Sequence, residues 1–401
     1  MDFTPIIPTD MRGNISEALM IKSEMLLEKS AALAGSHTPQ LIDTLQEHLL
    51  TVNSYYSNMI ESEGTRISDI ERAMKNDYSS DEKTQKLQRL SVAHIDVQKE
   101  IMASLKNDTG ISPYSRSFIL DIHKRFYLKK GMDAFLDVST DNEEVIMVPG
   151  AFRTKNVAIG DHQAPDAANV ESLMREFEHL YAKGLTKRRS LQLIYALASH
   201  HRLTWIHPFL DGNGRTSRLA LDASFAHMEL PGYGLWNISR GLARDQKNYR
   251  GHLRQADIPR QGNYDGKGSL TAKGLEQFVD YMLDTAIDQV NYMGNYLRLD
   301  GLAKRIEIFV MRINDGLVPS EPKPLPAHAE KIFKHLLLYG ECSRGEVRKV
   351  IGKSESLATK LTKHLIERGF VVSDTPRGAI RLKINASMAS YLFPELVPEE
   401  I

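Results

Sequence analysis

His207-Pro208-Phe209-Leu210-Asp211-Gly212-Asn213-Gly214-Arg215-Thr216-Ser217-Arg218 is the stretch on which the reading of this 401-residue sequence turns. Its centre, Gly212-Asn213-Gly214, opens a predicted helix. Glycines let a backbone approach a ligand closely, and the first turn of a helix presents unpaired N–H groups and a partial positive charge. Together they make a phosphate cradle. Arg215 and Arg218, three apart on the new helix, project toward a similar side, and both can fork onto phosphate oxygens. Asp211 stands beside the cradle. One carboxylate there suits Mg2+, an ion that keeps several waters and is completed by substrate phosphates. His207 precedes the turn, where a neutral imidazole would accept a proton from an attacking hydroxyl. A base, a metal ligand, an anion hole and two arginines are what attack on a nucleotide phosphate requires. Any one of these alone is more often structural; it is the joint pattern at fixed offsets that points to chemistry.

Outward from this stretch the chain is mostly helical. Ile15, Ala18, Ile21, Met25 and Ala32 predict one amphipathic helix, and Leu41, Leu45, Leu49, Val52, Tyr56 and Ile60 a second that starts at Thr38-Pro39. A third follows Ser112-Pro113, with Phe118, Ile119, Ile122 and Phe126 inward. The segment 144–160, EVIMVPGAFRTKNVAIG, is β-branched at both ends with Pro149-Gly150 between, and predicts a short hairpin. Helices resume over 167–183, 188–201 and 219–228, and Leu275 to Leu297 carries a long apolar stripe. Four prolines between Pro319 and Pro326 mark an extended linker. Beyond it, helices over 328–339, 343–351 and 354–368 and strands at 370–372 and 380–384 predict a winged helix-turn-helix. The expected organisation is an N-terminal helical region (1–110), a core (111–314), the proline-rich linker (315–327), the winged helix (328–385) and a tail (386–401).

The stretch from His207 to Arg218 resembles the signature of the Fic family, His-Pro-Phe-x-Asp/Glu-Gly-Asn-Gly-Arg-x-x-Arg, and every specified position matches. The similarity extends over roughly residues 50 to 300. It implies a mainly α fold, a helical core with a β-hairpin flap, that transfers the AMP of ATP to a Ser, Thr or Tyr hydroxyl of a protein, itself included. By that resemblance His207 is the base and Asp211 the Mg2+ ligand. Gly212, Asn213, Gly214, Arg215, Thr216, Ser217 and Arg218 bind the nucleotide, with Arg218 on the γ-phosphate, and Tyr249 stacks on adenine. The hairpin is the flap, whose exposed edge aligns a target segment through main-chain pairing. Relatives that phosphorylate carry lysine where this chain has Gly214, which argues for adenylylation. A homodimer and reverse de-AMPylation are also implied as options.

Some members of the family carry an inhibitory helix with the pattern Ser/Thr-x-x-x-Glu-Gly/Asn. Here Ser57-Asn58-Met59-Ile60-Glu61-Ser62-Glu63-Gly64 offers two registers. Ser57 and Glu61 fit the first, but Ser62 replaces Gly/Asn; in the second, Glu63-Gly64 has Met59 where Ser/Thr belongs. Ile60 closes the apolar stripe, so Glu61 should sit at the helix end beside the core, and is the expected inhibitory residue. Paired with Arg218, it would occupy the group needed for the γ-phosphate.

Composition bounds the rest. Lys+Arg and Asp+Glu are both 51, so net charge names no partner. The single cysteine, Cys342, excludes a disulfide scaffold. No basic-then-apolar leader and no apolar run of about 20 residues is present, so a cytoplasmic protein off the membrane is expected. His200-His201 finds no third zinc ligand, and Met20 and Met25 read as packing. Residues 327–385 hold twelve Lys+Arg against six Asp+Glu. Ser354, Ser356, Thr359, Lys360 and Lys363 on the third helix, with Arg377 on the wing, would face a DNA groove. A DNA-binding transcriptional regulator with a weak or inactive core is the competing reading.

Overall fold

The computed structural model describes residues 2–139, 144–160 and 162–396, so the last five residues of the expected tail lie outside the described residues. The fold is mainly helical, as the periodicity predicts. In chain order the helices are α1 (Glu17–Gly35), α2 (Pro39–Ile60), α3 (Ile67–Met74), α4 (Glu82–Asn107), α5 (Arg116–Tyr127), α6 (Ala167–Tyr181), α7 (Arg189–Ile206), α8 (Asn213–His227), α9 (Ile238–Arg244), α10 (Gln246–Asp257), α11 (Ala272–Tyr296), α12 (Leu299–Asn314), α13 (Ala329–Tyr339), α14 (Arg344–Ile351), α15 (Glu355–Glu367) and α16 (Ala386–Leu392). The strands are β1 (Asp137–Ser139), β2 (Glu144–Ile146), β3 (Ala158–Ile159), β4 (His162–Gln163), β5 (Glu341–Cys342), β6 (Val371–Val372) and β7 (Ile380–Leu382). They divide into two compact units. One is built from Met1–Ala31, Asn53–Tyr233 and Asn237–Val290, the other from Ala32–Val52, Gly234–Trp236 and Asn291–Ile401.

In the first unit α8 is central, packed against α4, α5 and α7. Its sequence, NGRTSRLALDASFAH, places small residues at Ala220, Ala223 and Ser224, which lets neighbouring helices approach, and Arg215 through Phe225 are all buried. A helix buried all round must satisfy its polar side chains internally. Asp222 does so by accepting from Asn53 Nδ2 at 3.1 Å and from the Tyr233 hydroxyl. The N-terminal segment is threaded into the same unit. Phe3 is fully buried against Trp205, with ring centroids 6.5 Å apart. The Pro5 carbonyl accepts from Arg202 Nε and Nη2 at 3.2 and 3.0 Å, and Tyr181 donates to the Ile6 carbonyl at 2.7 Å.

The stripes predicted on α2, α5 and α11 are all buried. The stripe predicted on α1 is not the buried face: Ile21 is 52% exposed and Met25 39%. The face that packs is Leu19, Ser23, Leu26, Ser30 and Leu33. Two serines hide it from a hydrophobicity count. They are tolerated there because Ser23 Oγ bonds the Leu19 carbonyl at 2.8 Å and Ser30 Oγ bonds the Pro231 carbonyl.

The single hairpin expected across 144–160 is also corrected. The two ends of that segment do not pair with each other. β2 pairs antiparallel with β1 upstream, Val138 opposite Val145, and β3 pairs with β4 downstream, Ile159 opposite His162. The intervening Pro149-Gly150 segment is instead tied to the core. Gly150 N–H donates to His123 Nδ1 at 2.9 Å and Arg153 N–H to the Pro208 carbonyl at 2.9 Å. Those bonds use the backbone groups that a hairpin ladder would need.

In the second unit α12 packs against α13 and α16, and α14 against α13 and α15. β5, β7 and β6 form an antiparallel sheet in that order, with Glu341 opposite Arg381 and Val371 opposite Leu382. β5 lies between the first two of the three expected helices and was not legible as a strand. The proline-rich 315–327 stretch carries no regular element, yet Val318 and Leu325 are buried and Leu325 N–H donates to Asn314 Oδ1 at 2.8 Å. Burial pushes the Cys342 thiol up to about 11, which leaves it inert as a nucleophile.

Candidate active site

The turn between α7 and α8 is built by its own side chains. His207 ends α7 in the left-handed region, φ 50°, with its N–H on the Leu203 carbonyl. Asn213 closes the turn: its Oδ1 accepts from the Phe209 N–H and its Nδ2 donates to the Phe209 carbonyl, both at 2.9 Å. The Phe209 ring is fully buried and stacks on His123 at 3.9 Å, nearly parallel. Because His123 Nδ1 accepts from the Gly150 N–H, its Nε2 carries the proton and donates to the Asp211 carbonyl at 3.2 Å. Gly212 has φ 76°, and a Cβ there would stand 2.5 Å from the Tyr127 hydroxyl, so only glycine fits. Among the described residues no carbonyl accepts from the Gly214 or Arg215 N–H, so the first turn of α8 keeps its donors for an anion.

The two arginines of α8 are each answered by a glutamate from the turn after α2. Arg218, 2% exposed, donates from Nη2 to Glu61 Oε1 at 2.6 Å and to the Ser57 carbonyl at 3.0 Å, and from Nε to Ser57 Oγ at 2.9 Å. Ser57 lies in the last turn of α2 and Glu61, four residues on, is the first residue beyond it, so both side chains reach the same arginine. The Glu61 carboxylate sits over the cradle itself: a Cβ placed on Gly214 would collide with its Oε1. Burial alone would raise the Glu61 carboxyl, but the Arg218 and Arg215 charges outweigh it and hold it below its usual range. Arg215 bonds Glu63 through Nη1 and lies 3.3 Å from Asp211 Oδ2 through Nη2. Both registers left open by the sequence are therefore occupied, each by a different arginine.

These groups line a cleft of about 840 Å³ with His207, Asn213, Gly214, Arg218, Tyr249 and Glu61 on its walls. Burial, reinforced by the His162 and Arg153 charges, pushes the His207 imidazole down to about 4, so it is neutral at pH 7. Tyr249 lines the cleft but is 3% exposed, and its hydroxyl bonds His200 Nε2 at 2.7 Å. His200 itself is structural, with Nδ1 on the Ser217 carbonyl at 3.2 Å. Thr216 and Ser217 face inward along α8 and do not line the cleft; Ser217 Oγ is spent on the Gly214 carbonyl.

Sequence reading missed four contributors. Tyr127 holds Asp211, His123 fixes the turn, Arg153 donates to the His207 carbonyl at 2.8 Å, and His162 enters the cleft wall from β4. None lies near the signature in sequence, and none carries a local signal.

The residues present fit Mg2+. Asp211 Oδ2 is held by the Tyr127 hydroxyl at 2.8 Å and by Arg215, while its side chain stays 43% exposed, so the carboxylate is oriented yet reachable. Among the described residues no cluster of three or more His, Cys, Asp or Glu could cage a metal. A single oriented carboxylate is what suits an ion completed by phosphates and water.

Ser62 follows Glu61 at φ 62°, with its N–H on the Met59 carbonyl and the Glu63 N–H on the Asn58 carbonyl. This is the left-handed closing position of a helix, where glycine or asparagine is preferred. A serine there is strained. Ser62→Gly is expected to stabilise the protein by about 1 kcal/mol, read as a rise in the thermal midpoint. An unchanged or lowered midpoint would show that the turn is not strained.

Residues 113–224 match the Fic/DOC family. Over 74 residues the chain is 42% identical to the protein adenylyltransferase Fic of Drosophila grimshawi, covering 18% of this chain and 15% of that protein. It is likewise 42% identical over 76 residues to the protein of the same name from Drosophila virilis. The chain thus spans about 15% of the length of the curated relatives it matches. Among solved structures it resembles a Fic family protein from Desulfovibrio desulfuricans G20, with a TM-score of 0.50 at 15% identity over 92% of this chain and 97% of that one. It also resembles a Fic domain containing signaling protein from Bacteroides thetaiotaomicron VPI-5482, with a TM-score of 0.52 at 18% identity over 68% and 95%. The segment that matches the Fic/DOC family, residues 113–224, contains the whole signature from His207 to Arg218, of which His207, Asn213, Gly214 and Arg218 line the cleft.

Proposed function

We propose that this protein is an adenylyltransferase that moves AMP from ATP to a protein hydroxyl, and that Glu61 holds it in an inhibited state. The observation that carries the reading is a carboxylate seated on a phosphate cradle: Glu61 lies over Gly214 and pairs with Arg218. A site that a carboxylate fits through a forked cation and a helix start is a site for phosphate.

In the working arrangement the γ-phosphate takes the place of the Glu61 carboxylate on Arg218. The first turn of α8 holds the remaining phosphates. Asp211 would hold Mg2+, which when bound supplies positive charge against the phosphate oxygens. The hydroxyl oxygen of the target attacks the α-phosphorus, and the bond from that phosphorus to the bridging oxygen of the β-phosphate breaks. Pyrophosphate leaves, and the hydroxyl proton passes to neutral His207. Ile159, Gly160 and His162 line the cleft, so the β3–β4 ladder is where a target strand would align. With Glu61 in place the γ-phosphate is excluded from Arg218 and the α-phosphorus is misplaced, which is costly to in-line attack.

A second reading concerns the C-terminal unit, and one observation favours it. Ser354, Ser356, Thr359, Lys360 and Lys363 on α15 and Arg377 between β6 and β7 are all exposed. We propose that this module is a winged helix that binds duplex DNA, alongside the enzymatic role.

Three outcomes are expected. With Mg2+ and ATP labelled at the α-phosphate, Glu61→Gly raises labelling of the chain or of lysate proteins at least tenfold, and His207→Ala in that background abolishes it. Label arriving from the γ-phosphate instead would replace transfer of AMP by phosphorylation. Because the base must be neutral, kcat/KM of the Glu61→Gly form should hold as pH falls through 6.5 and drop only as pH approaches about 4; an acid limb at 6.5 would contradict a buried base. Duplex DNA should bind with a log–log salt slope of about −3 for three or four phosphate contacts, and no binding at low salt ends the second reading.

A further inference from the structure

Two glutamates two residues apart hold two arginines three residues apart, but the two pairs are not equivalent. Arg218 donates to α2 and its closing turn, through Ser57 and Glu61. Arg215 is shared. Its Nη1 is on Glu63, while its Nη2 faces Asp211 Oδ2 at 3.3 Å and the Tyr127 hydroxyl at 3.4 Å. Its Nε is buried with no partner, so the guanidinium is not saturated where it stands. Arg215 is 4% exposed, and water cannot answer its charge. Glu61 acts on it through charge alone, while two carboxylates compete for its N–H groups: Glu63, from the turn after α2, and Asp211, from the turn before α8.

We propose that Glu63 acts opposite to Glu61: it is a positioning residue that shares the charge of Arg215 with Asp211, leaving that ion pair long, and so keeps the Asp211 carboxylate available to a divalent cation. This rests on the metal role given above to Asp211. Without the charges of Glu63 and Glu61, Asp211 is the one carboxylate left beside a buried cation, and their ion pair tightens. A metal must then displace a guanidinium to bind. With Glu63 present, the charge of Arg215 is already neutralised, and Tyr127, a neutral donor, keeps Asp211 oriented without competing for it. The turn after α2 thus carries one glutamate that blocks the nucleotide and one that prepares the metal site.

The test uses Mn2+ as a spectroscopic stand-in for Mg2+, titrated by electron paramagnetic resonance with a non-hydrolysable ATP analogue. The full-length Glu61→Gly protein serves as the background, so that the nucleotide can enter. Adding Glu63→Gln keeps the side chain's shape and a hydrogen-bond acceptor but removes the charge. The half-saturating Mn2+ concentration should rise about tenfold, the size expected for one charge removed near a partly buried ion. Glu63→Asp should restore most of it. In an otherwise wild-type chain, Glu63→Gln should not raise labelling. An unchanged Mn2+ concentration, or a rise in labelling like that of Glu61→Gly, overturns the inference and makes Glu63 inert or a second inhibitor. If Mn2+ fails to bind the Glu61→Gly protein at all, the metal role of Asp211 falls, and this inference with it; the Mn2+ readings need no nucleotide transfer.

Discussion

A guanidinium buried to 2% exposure cannot be left without an anion, and Arg218 is such a group. Desolvation of an unpaired charge costs several kcal/mol, so the pocket around Arg218 is always occupied by something negative. In this structure the anion is Glu61, delivered by the end of α2. On the function proposed above, the same demand makes the site a phosphate receptor that can be locked: a nucleotide would exchange one charge-assisted pair for another.

The scaffold serves that exchange by keeping the receiving side fixed. α8 is held by α4, α5 and α7, and the turn before it is closed by Asn213 on the Phe209 backbone. Phe209 is in turn clamped by His123, whose tautomer is set by a backbone donor from the segment after β2. Arg153 reaches from that same segment to the His207 carbonyl. His207, Asp211 and the first turn of α8 therefore share one support. The other side, the turn of residues 61–64, is a helix end closed through a strained Ser62.

Much of this was legible beforehand, because the functional stretch is contiguous. A loop entering a helix N-terminus brings its residues together through local geometry alone, so His207, Asn213, Gly214 and Arg218 meet on one cleft as their spacing predicts. The helical stripes of α2, α5 and α11 were equally plain, since strong apolar periodicity allows one orientation. Where side chains are ambiguous the reading failed. Serines on the packed face of α1 are bonded to carbonyls, and a hydrophobicity count cannot know that. The β-branched ends of 144–160 could pair with each other or with their flanks. Bonds from Gly150 and Arg153 to the core decided for the flanks. Thr216 and Ser217 sit in the signature but point into the helix packing, which only the rotation of α8 against its neighbours sets.

By itself the sequence determined the helical class, the turn that leads from His207 into α8, and a helix upstream that ends just before two glutamates. These depend on residue type and local spacing, which one chain segment carries whole. The tertiary structure decided which arginine each glutamate meets. It also decided that Asp211 is oriented by Tyr127, and that His207 is kept neutral by burial. Each of those is a contact or a desolvation between segments far apart in the chain, and no local spacing encodes the distance across which two such side chains come to rest.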